Sequence, residues 1–532
     1  MSETPLPSSS NEDEFRPSDS ERIFLLVSVF VLGACGLLYE LVTGAAASYL
    51  MGDSVTQYSL VIGVFLAAMG VGSQLTRWLK RNLIDAFIRI QLGIAMVGGF
   101  SGYILFAAFP ILDEVTIVVL GLSGVTGVLI GLELPILIRL MRNDDGLRIN
   151  LAQVLSFDYV GALAASILFP FILLPQLGLV RAALACGALN AVIALLGTAL
   201  FKHHLKKFGG LVVLNLAVLA ALAIGFVYAE RTTTFLEDQL YQDEIIVAET
   251  TPYQRIVITR WKEDIRLHLN GHLQFSSADE YRYHESLVMP ALSAVNNENP
   301  RSDELRVLIL GGGDGLAARL ILRNAPVAKI DLVDLDQRVV ELFRDVEAFS
   351  KLNDDSLSDP RLVPHYLDAM AYLRNAEAEP YDLIVIDLPD PGTVSTSKLY
   401  SKSFFGLALK SLKPQGALVT QASSPFFATE AFWCAVNTLR SANDSLGGSR
   451  MVTPYHVNVP SFGEWGFILL SPPSSKPPQP FEDTKLRFYT PEIYEQAKTF
   501  SPDIAEVPTR INTLSHPVIM EYYLKGWNLW HE

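Results

Sequence analysis

The sequence predicts a multi-span α-helical membrane domain, then a small β module, then a doubly wound α/β domain. Three observations carry this. Seven apolar stretches, each about 20 residues long, lie between Ile23 and Ala229, long enough to cross a bilayer as helices. Residues 245–275 alternate apolar and polar, the period of half-buried strands. From Leu305 strand-like runs alternate with helix-like runs, opening on VLILGGGDG at residues 307–315.

Residues 1–22 are rich in Pro, Ser and acidic side chains and read as a disordered tail; they lack the basic start of a signal peptide. The apolar stretches of residues 23–229 centre near Val31, Leu66, Val97, Gly124, Ala164, Asn190 and Ala217. Glycines recur in them, among them Gly63, Gly70 and Gly72, as close helix packing in lipid requires. Seven uniformly apolar helices are rare in a soluble core. Basic residues gather at the N-terminal flank (Arg16, Arg22) and in the even connections (Arg77, Lys80, Arg81, Arg89; Arg139, Arg142, Arg148; Lys202, Lys206, Lys207). The odd connections have only Arg181. The positive-inside rule then puts the N-terminus in the cytoplasm. Seven spans put the C-terminal half outside, whereas the chemistry below uses a cytosolic metabolite and expects a cytoplasmic catalytic domain in a multi-pass protein of the cell membrane. Glu40, Glu133, Asp158 and Arg181 sit inside apolar runs. Structural pairing is the plainer reading; a polar path for amines is the functional one.

Residues 230–288 form the β module, with turns at Lys262–Asp264 and at Asn270-Gly271. Residues 289–475 hold the α/β domain, with strands in VLIL, KIDLVDL, RLVPHYL, YDLIVID, GALVTQ, MVTPYHV and WGFILL. A C-terminal extension, 476–532, starts in a Pro-rich linker and ends in YYLKGWNLW, aromatic but without an assigned role.

Composition narrows the function. Hydrophobic residues make up 50% of the 532, and the net charge is -15, which argues against a nucleic-acid partner. Cys35, Cys186 and Cys434 are scattered without metal spacing, so neither a disulfide framework nor a metal site is expected.

The glycine turn is the strand–turn–helix opening of a nucleotide site, but Leu316 stands where a dinucleotide site needs a third small residue. Asp314 beside it repels phosphate and attracts an amine, which suits a nucleoside with a positive charge. Asp334 ends the second strand, 23 residues after Gly311, where an acid grips ribose hydroxyls; a helix cap is the alternative. Asp368 and Ala369 follow the third strand, at an adenine amino group or as a local cap. Asp387 and Asp390 flank a Pro-stiffened turn at the end of YDLIVID, where two carboxylates can share an amine and one can take its proton. Gln274, Asp279, Glu280, Tyr283, His284 and Glu285 crowd one stretch that reads as a pocket for a polyamine end.

These pieces together, TPYQRIVI, LxLNGxxQ with ADEYRYHE, GGGDG, VDLD, LDA and DLPDP, resemble spermidine synthases, the polyamine aminopropyltransferases, in order and spacing over residues 245 to about 470. The whole chain resembles the membrane-bound branch. The resemblance implies a Rossmann-like catalytic domain of methyltransferase type. It implies transfer of the aminopropyl group of decarboxylated S-adenosylmethionine, as co-substrate, to a diamine such as putrescine, giving spermidine and methylthioadenosine. No other cofactor is implied, and a homo-oligomer is expected. By position, Gln254 and Asp334 contact the nucleoside, Asp368 and Ala369 the adenine, and His284 and Asp314 the amine-bearing chains. Asp387 is the proton acceptor, with Asp390 beside it. Asn270 replaces the usual Asp, Asp334 the usual Glu, and GTVSTSK after Pro391 lacks the usual Gly-Pro. Two other readings are an S-adenosylmethionine-dependent methyltransferase, and a membrane polyamine transporter or sensor whose synthase-like domain only binds.

Overall fold

The computed structural model describes residues 17–51, 54–109, 111–112, 114–141, 147–238, 243–298, 304–375, 379–448, 450–473 and 486–530. Most of the expected N-terminal tail and of the Pro-rich linker lies outside them. The chain divides into two compact units, at Gln242.

In the first unit, six helices among the described residues are long and apolar enough to cross a membrane: Asp19–Tyr49, Val55–Trp78, Leu83–Ala108, Val115–Leu140, Leu151–Leu200 and Phe208–Ala229. The first begins four residues before the expected boundary. Ser18 and Glu21 explain this: the Ser18 N–H donates to the Glu21 carboxylate at 2.7 Å and the Glu21 N–H to Ser18 Oγ at 3.4 Å, a capping box. The fifth is 50 residues long, about 75 Å if straight, well beyond a hydrocarbon core of about 30 Å. It folds back instead at Gly178, whose φ of 69° breaks the helix. Its first half runs alongside the first helix in the same sense: Arg22 donates to Gln153 at 2.9 Å, and Ala165 and Phe169 cluster with Leu38 and Val42. Its second half returns, with Asn190 donating to the Tyr39 hydroxyl at 2.9 Å and Phe201 edge-on to Phe24 at 5.9 Å. All seven apolar stretches are therefore helical, two of them in this hairpin. Glu133 is fully buried and accepts from Gln91 Nε2 at 2.5 Å, a polar pair inside the unit.

The second unit holds both the β module and the α/β domain. Strands β1 (Glu244–Thr250), β2 (Arg255–Trp261), β3 (Asp264–Leu269) and β4 (His272–Ser276) form an antiparallel sheet in sequence order. Asn270 and Gly271, both at positive φ, make the tight turn between β3 and β4. The helix Glu280–Glu298 then crosses to a second sheet.

That sheet contains β5 (Leu305–Gly311), β6 (Val327–Asp334), β7 (Leu362–Tyr366), β8 (Tyr381–Asp387), β9 (Leu412–Gln421), β10 (Met451–Val459) and β11 (Gly463–Ser471). Their order is β10-β11-β9-β8-β5-β6-β7. Strands β5 to β9 are parallel, while β11 runs antiparallel to β9 and pairs with β10. The parallel strands carry near-continuous apolar runs because both faces are covered: Val307 to Leu310 and Leu383 to Ile386 are all fully buried. The chain leaves β5 toward β6 and β7, then returns to β8 on its other side. The crevice between the carboxyl ends of β5 and β8 is thus the topological switch point, where such sheets bind ligands.

Candidate active site

Gly311 and Asp387 end β5 and β8 and are register partners. A Cβ on Gly311 would lie 1.9 Å from the Asp387 carbonyl oxygen, and its φ is 85°, so only glycine closes this turn. A Cβ on Gly313 would stand 2.6 Å from Asp334 Oδ2. The Gly313 N–H can therefore donate to that oxygen at 3.1 Å, while the Asp336 N–H donates to Oδ1 at 2.9 Å. Burial still pushes the Asp334 carboxyl up to about 6. The helix cap proposed as an alternative for Asp334 falls instead to Asp336, which accepts from the Arg338 N–H at 3.1 Å. Asp336 also accepts from Gln254 Nε2 at 3.0 Å, placing Gln254 at the same sheet edge.

The helix Glu280–Glu298 delivers two neighbouring side chains to Asp387. The Tyr283 hydroxyl donates to Oδ1 at 2.7 Å, and His284 Nε2 stands 3.9 Å from Oδ2. His284 is buried, and its Nδ1 faces the Glu280 carbonyl at 2.9 Å and Glu280 Oε2 at 3.0 Å. Both are acceptors, so Nδ1 carries a hydrogen. Burial opposes charge on His284, but the hydrogen bond and charge of Glu280, followed by Asp314 and Asp387, outweigh it and raise its pKa. Glu280 is lowered in turn: burial pushes it up, and His284 and Arg319 more than reverse that. Arg319 donates to both Glu280 oxygens, at 2.8 and 2.9 Å. A chain of polar partners, Arg319 to Glu280 to His284 to Asp387, therefore ends at the switch point.

Asp314 is held by its own turn: the Leu316 N–H donates to its Oδ1 at 2.9 Å. Burial pushes it up to about 6, His284 draws it down, and Asp387 raises it again. Asp390 likewise stands at about 6 through burial, offset by hydrogen bonds from Gln421, Tyr523 and Ser423. Asp368 caps the helix Ala369–Asn375, accepting from the Ala371 N–H at 3.0 Å, and its other oxygen takes Lys398 Nζ at 2.7 Å.

Not every member of the crowded stretch 274–285 shares this site's task. Asp279 accepts from the Ser461 N–H at 2.6 Å and its hydroxyl at 2.9 Å, tying down a loop. Glu285 accepts three backbone N–H groups, from Arg487, Phe488 and Tyr489, at 2.9, 2.8 and 2.8 Å. These two are clips, not pocket walls. Gln274 turns its amide to the His272 carbonyl of its own strand at 3.1 Å.

Known proteins are similar in sequence to this chain over nearly its whole length. A polyamine aminopropyltransferase of Leptospira interrogans is 43% identical over 506 residues, 95% of this chain and 98% of its own. The chain belongs to the polyamine aminopropyltransferase family. Polyamine aminopropyltransferase 1 of Ralstonia nicotianae is 41% identical over 522 residues, 96% of this chain and 97% of its own. That of Mycobacterium tuberculosis is 39% identical over 523 residues, covering 95% and 97%. Residues 280–477 match the spermine/spermidine synthase domain. A crystal structure of a spermidine synthase in complex with the transition state analogue AdoDATO is 22% identical, with a TM-score of 0.42, covering 54% of this chain and 89% of that one.

The motifs legible in the sequence do not exhaust the site. Lys398 on Asp368, and Gln421, Ser423 and Tyr523 on Asp390, were not singled out in sequence. Asn353 is another, donating to the Asp314 carbonyl at 2.7 Å from beyond the next strand and helix. Only Ser423 carried a local peculiarity, a left-handed φ of 63°. That conformation is invisible in a Ser-Ser-Pro string.

Proposed function

We propose that the crevice between β5 and β8 transfers the aminopropyl group of decarboxylated S-adenosylmethionine to a diamine such as putrescine, with Asp387 as base. The observation that carries this is Asp387 at the switch point, held by Tyr283 at 2.7 Å and faced by His284 at 3.9 Å. Asp334 holds the ribose, Gln254 and Ala369 line the nucleoside, and Asp314 holds the donor's amine. Asp368 is proposed at the adenine amino group, where it also caps the helix Ala369–Asn375 and takes Lys398. Gln274 stays in the proposal as a wall of the amine end.

The acceptor arrives as an ammonium, which has no lone pair. Asp387 takes its proton, and the freed lone pair attacks the donor's methylene carbon. The carbon–sulfur bond breaks, its electron pair goes to the sulfonium, and methylthioadenosine leaves neutral. Holding nitrogen, carbon and sulfur in line supplies much of the rate. The sulfonium carries its own activation, so positioning and proton removal are what the residues must add.

The first unit is proposed to sit in the lipid bilayer of the cell membrane, a reading supported by its six long apolar helices. Seven crossings, with the hairpin at Gly178 counted as two, would put the N-terminus and the second unit on opposite sides. The basic connections put the N-terminus inside; the cytosolic origin of the donor puts the second unit inside. Cysteine labelling from each face decides between the two. A homo-oligomer is part of the same proposal, tested by the mass of the detergent-solubilised protein. The reaction is tested with purified protein, decarboxylated or intact S-adenosylmethionine, and a panel of amines. Products read by mass spectrometry should show aminopropylated amine; methylated product would sink the proposal.

A further inference from the structure

Asp368, which the functional reading places at the adenine, is held from two sides. Its Oδ1 accepts from the Ala371 N–H at 3.0 Å, inside its own helix, and its Oδ2 takes Lys398 Nζ at 2.7 Å, from 30 residues further along the chain. Lys398 is the last residue of GTVSTSK, the segment that departs from the family's usual pattern. That segment is fixed along its length. Thr393 and Thr396 form a reciprocal capping box, each side-chain oxygen accepting from the other's N–H at 3.1 Å, and so start the short helix Val394–Ser397. The chain continues directly into the single turn Lys398–Tyr400. Asn512, fully buried and beyond the matched domain, donates its side-chain amide to the Ser397 carbonyl at 2.8 Å, and its own carbonyl accepts from the Lys402 N–H at 2.9 Å. The Tyr400 hydroxyl donates to the Pro389 carbonyl at 3.1 Å, so the same turn is tied back to the loop that follows Asp387.

An adenine amino group is neutral and only donates, so it is best held by an acceptor that is ionised and aimed. Burial favours the acid form of Asp368; Lys398 and the amides of Ala371 and Met370 more than reverse this and hold the carboxyl below its ordinary value. The torsion that turns a carboxylate plane is soft, and a helix cap on one oxygen leaves it so. An ammonium at the other oxygen fixes the plane. We infer that Lys398 is a positioning residue of the adenine subsite: it acts through Asp368, fixing that carboxylate for the donor's amino group, so that its contribution falls on donor affinity and not on the transfer step. This rests on reading Asp368 as the adenine acceptor. It also gives the GTVSTSK segment a task of its own. Where the family's usual Gly-Pro is absent, the segment ends in the cation that orients the donor's base site.

The test uses full-length protein in detergent. Methylthioadenosine binding is measured by calorimetry, and turnover is measured at varied donor and at varied putrescine. Lys398→Met keeps most of the side chain's length and removes its charge. It should weaken methylthioadenosine binding and raise the donor KM about fivefold, the upper end for a partly exposed ion pair. It should leave kcat and the putrescine KM within about twofold. Lys398→Arg, which keeps the charge, should bind as wild type does. In an Asp368→Ala background, Lys398→Met should change methylthioadenosine affinity by less than about twofold, because its route to the base is gone. Unchanged binding in Lys398→Met overturns the inference, and so does tighter binding, which would show a cation that competes with the adenine amino group. A loss that persists in the Asp368→Ala background overturns it as well. A parallel loss of kcat, putrescine affinity and thermal stability assigns Lys398 to structure alone and overturns it too. Asp368→Ala by itself judges the reading beneath. Wild-type affinity there removes Asp368 from the adenine, whereas a loss there with none in Lys398→Met removes Lys398 alone.

Discussion

Asp387→Asn removes the proposed base while conserving shape. The amide oxygen can still accept from Tyr283, whose hydroxyl stands 2.7 Å from Oδ1. The amide NH2 replaces the oxygen that faces His284 Nε2 at 3.9 Å, so the imidazole meets a donor instead of a carboxylate oxygen. General bases contribute about 10²- to 10⁴-fold. The expected fall in kcat is therefore at least about 100-fold, or about 2.7 kcal/mol at 1.36 kcal/mol per factor of ten. Donor affinity should change less than about threefold, since Asp314 and Asp334 are untouched and one hydrogen bond is the smallest unit of loss expected from them. Asp387 is also one of the charges that raise Asp314. Without it the Asp314 carboxyl ionises more readily, and the variant should keep its grip on the donor to lower pH than wild type. The loss has a positive signature as well. A site without a base depends on amine that is already neutral, so log kcat should climb with pH at a slope near one until the amine's own pKa, about 10. The assay is methylthioadenosine formation at saturating donor and putrescine from pH 6 to 9. A kcat within tenfold of wild type, or a flat profile, would falsify the assignment.

Burial pushes Asp314, Asp334 and Asp390 up to about 6, and once protonated Asp314 and Asp390 cannot hold an ammonium, nor Asp334 accept from both ribose hydroxyls as a carboxylate does. Donor and diamine affinities measured by calorimetry should therefore fall as pH drops from 7 to 5. The same raised values mean that the free native state binds protons more tightly than the unfolded chain, so these three groups add stability as pH falls through 6; an affinity that rose on acidification would contradict the assignment. Glu280→Gln should lower the His284 pKa, since the hydrogen bond and charge of Glu280 are the largest supports against burial; an imidazole NMR titration would show the fall, and an unmoved midpoint would break the proposed coupling. Glu285→Ala should lower the melting temperature of the second unit, because three backbone N–H groups, that of Tyr489 buried, lose their carboxylate acceptor, at about 1 kcal/mol for the buried one. Spermidine flux into proteoliposomes should not exceed that of empty liposomes, because Glu133 is buried and engaged by Gln91. Flux that disappears in Glu133→Gln would instead make the helices a path.

What could be read from sequence was what the backbone itself demands. Gly311 and Gly313 are dictated by close approach, and Asp334 and Asp387 end strands whose apolar runs announce them. The hairpin within Leu151–Leu200 kept its two apolar stretches visible but not its turn, because no polar linker separates them. Asp279 and Glu285 looked like pocket residues through adjacency. Yet successive helical residues are turned about 100° from one another, so Glu285 points away from the partner that its neighbour His284 faces. Lys398, Gln421 and Tyr523 come from distant parts of the chain and meet their aspartates only after packing, which leaves no local pattern to read.

Glu285 has a consequence for modularity. The shared domain closes at residue 477, yet the carboxylate of Glu285, near its beginning, is satisfied by amides of residues 487–489. A boundary drawn by common ancestry thus cuts through a buried ionic knot. Grafting the matched segment alone onto another scaffold would strand that charge in the interior. A transplant or chimera that respects the physics must carry the segment after the Pro-rich linker, with its amides of residues 487–489, along with the domain, so the smallest exchangeable part of this enzyme is larger than its family signature.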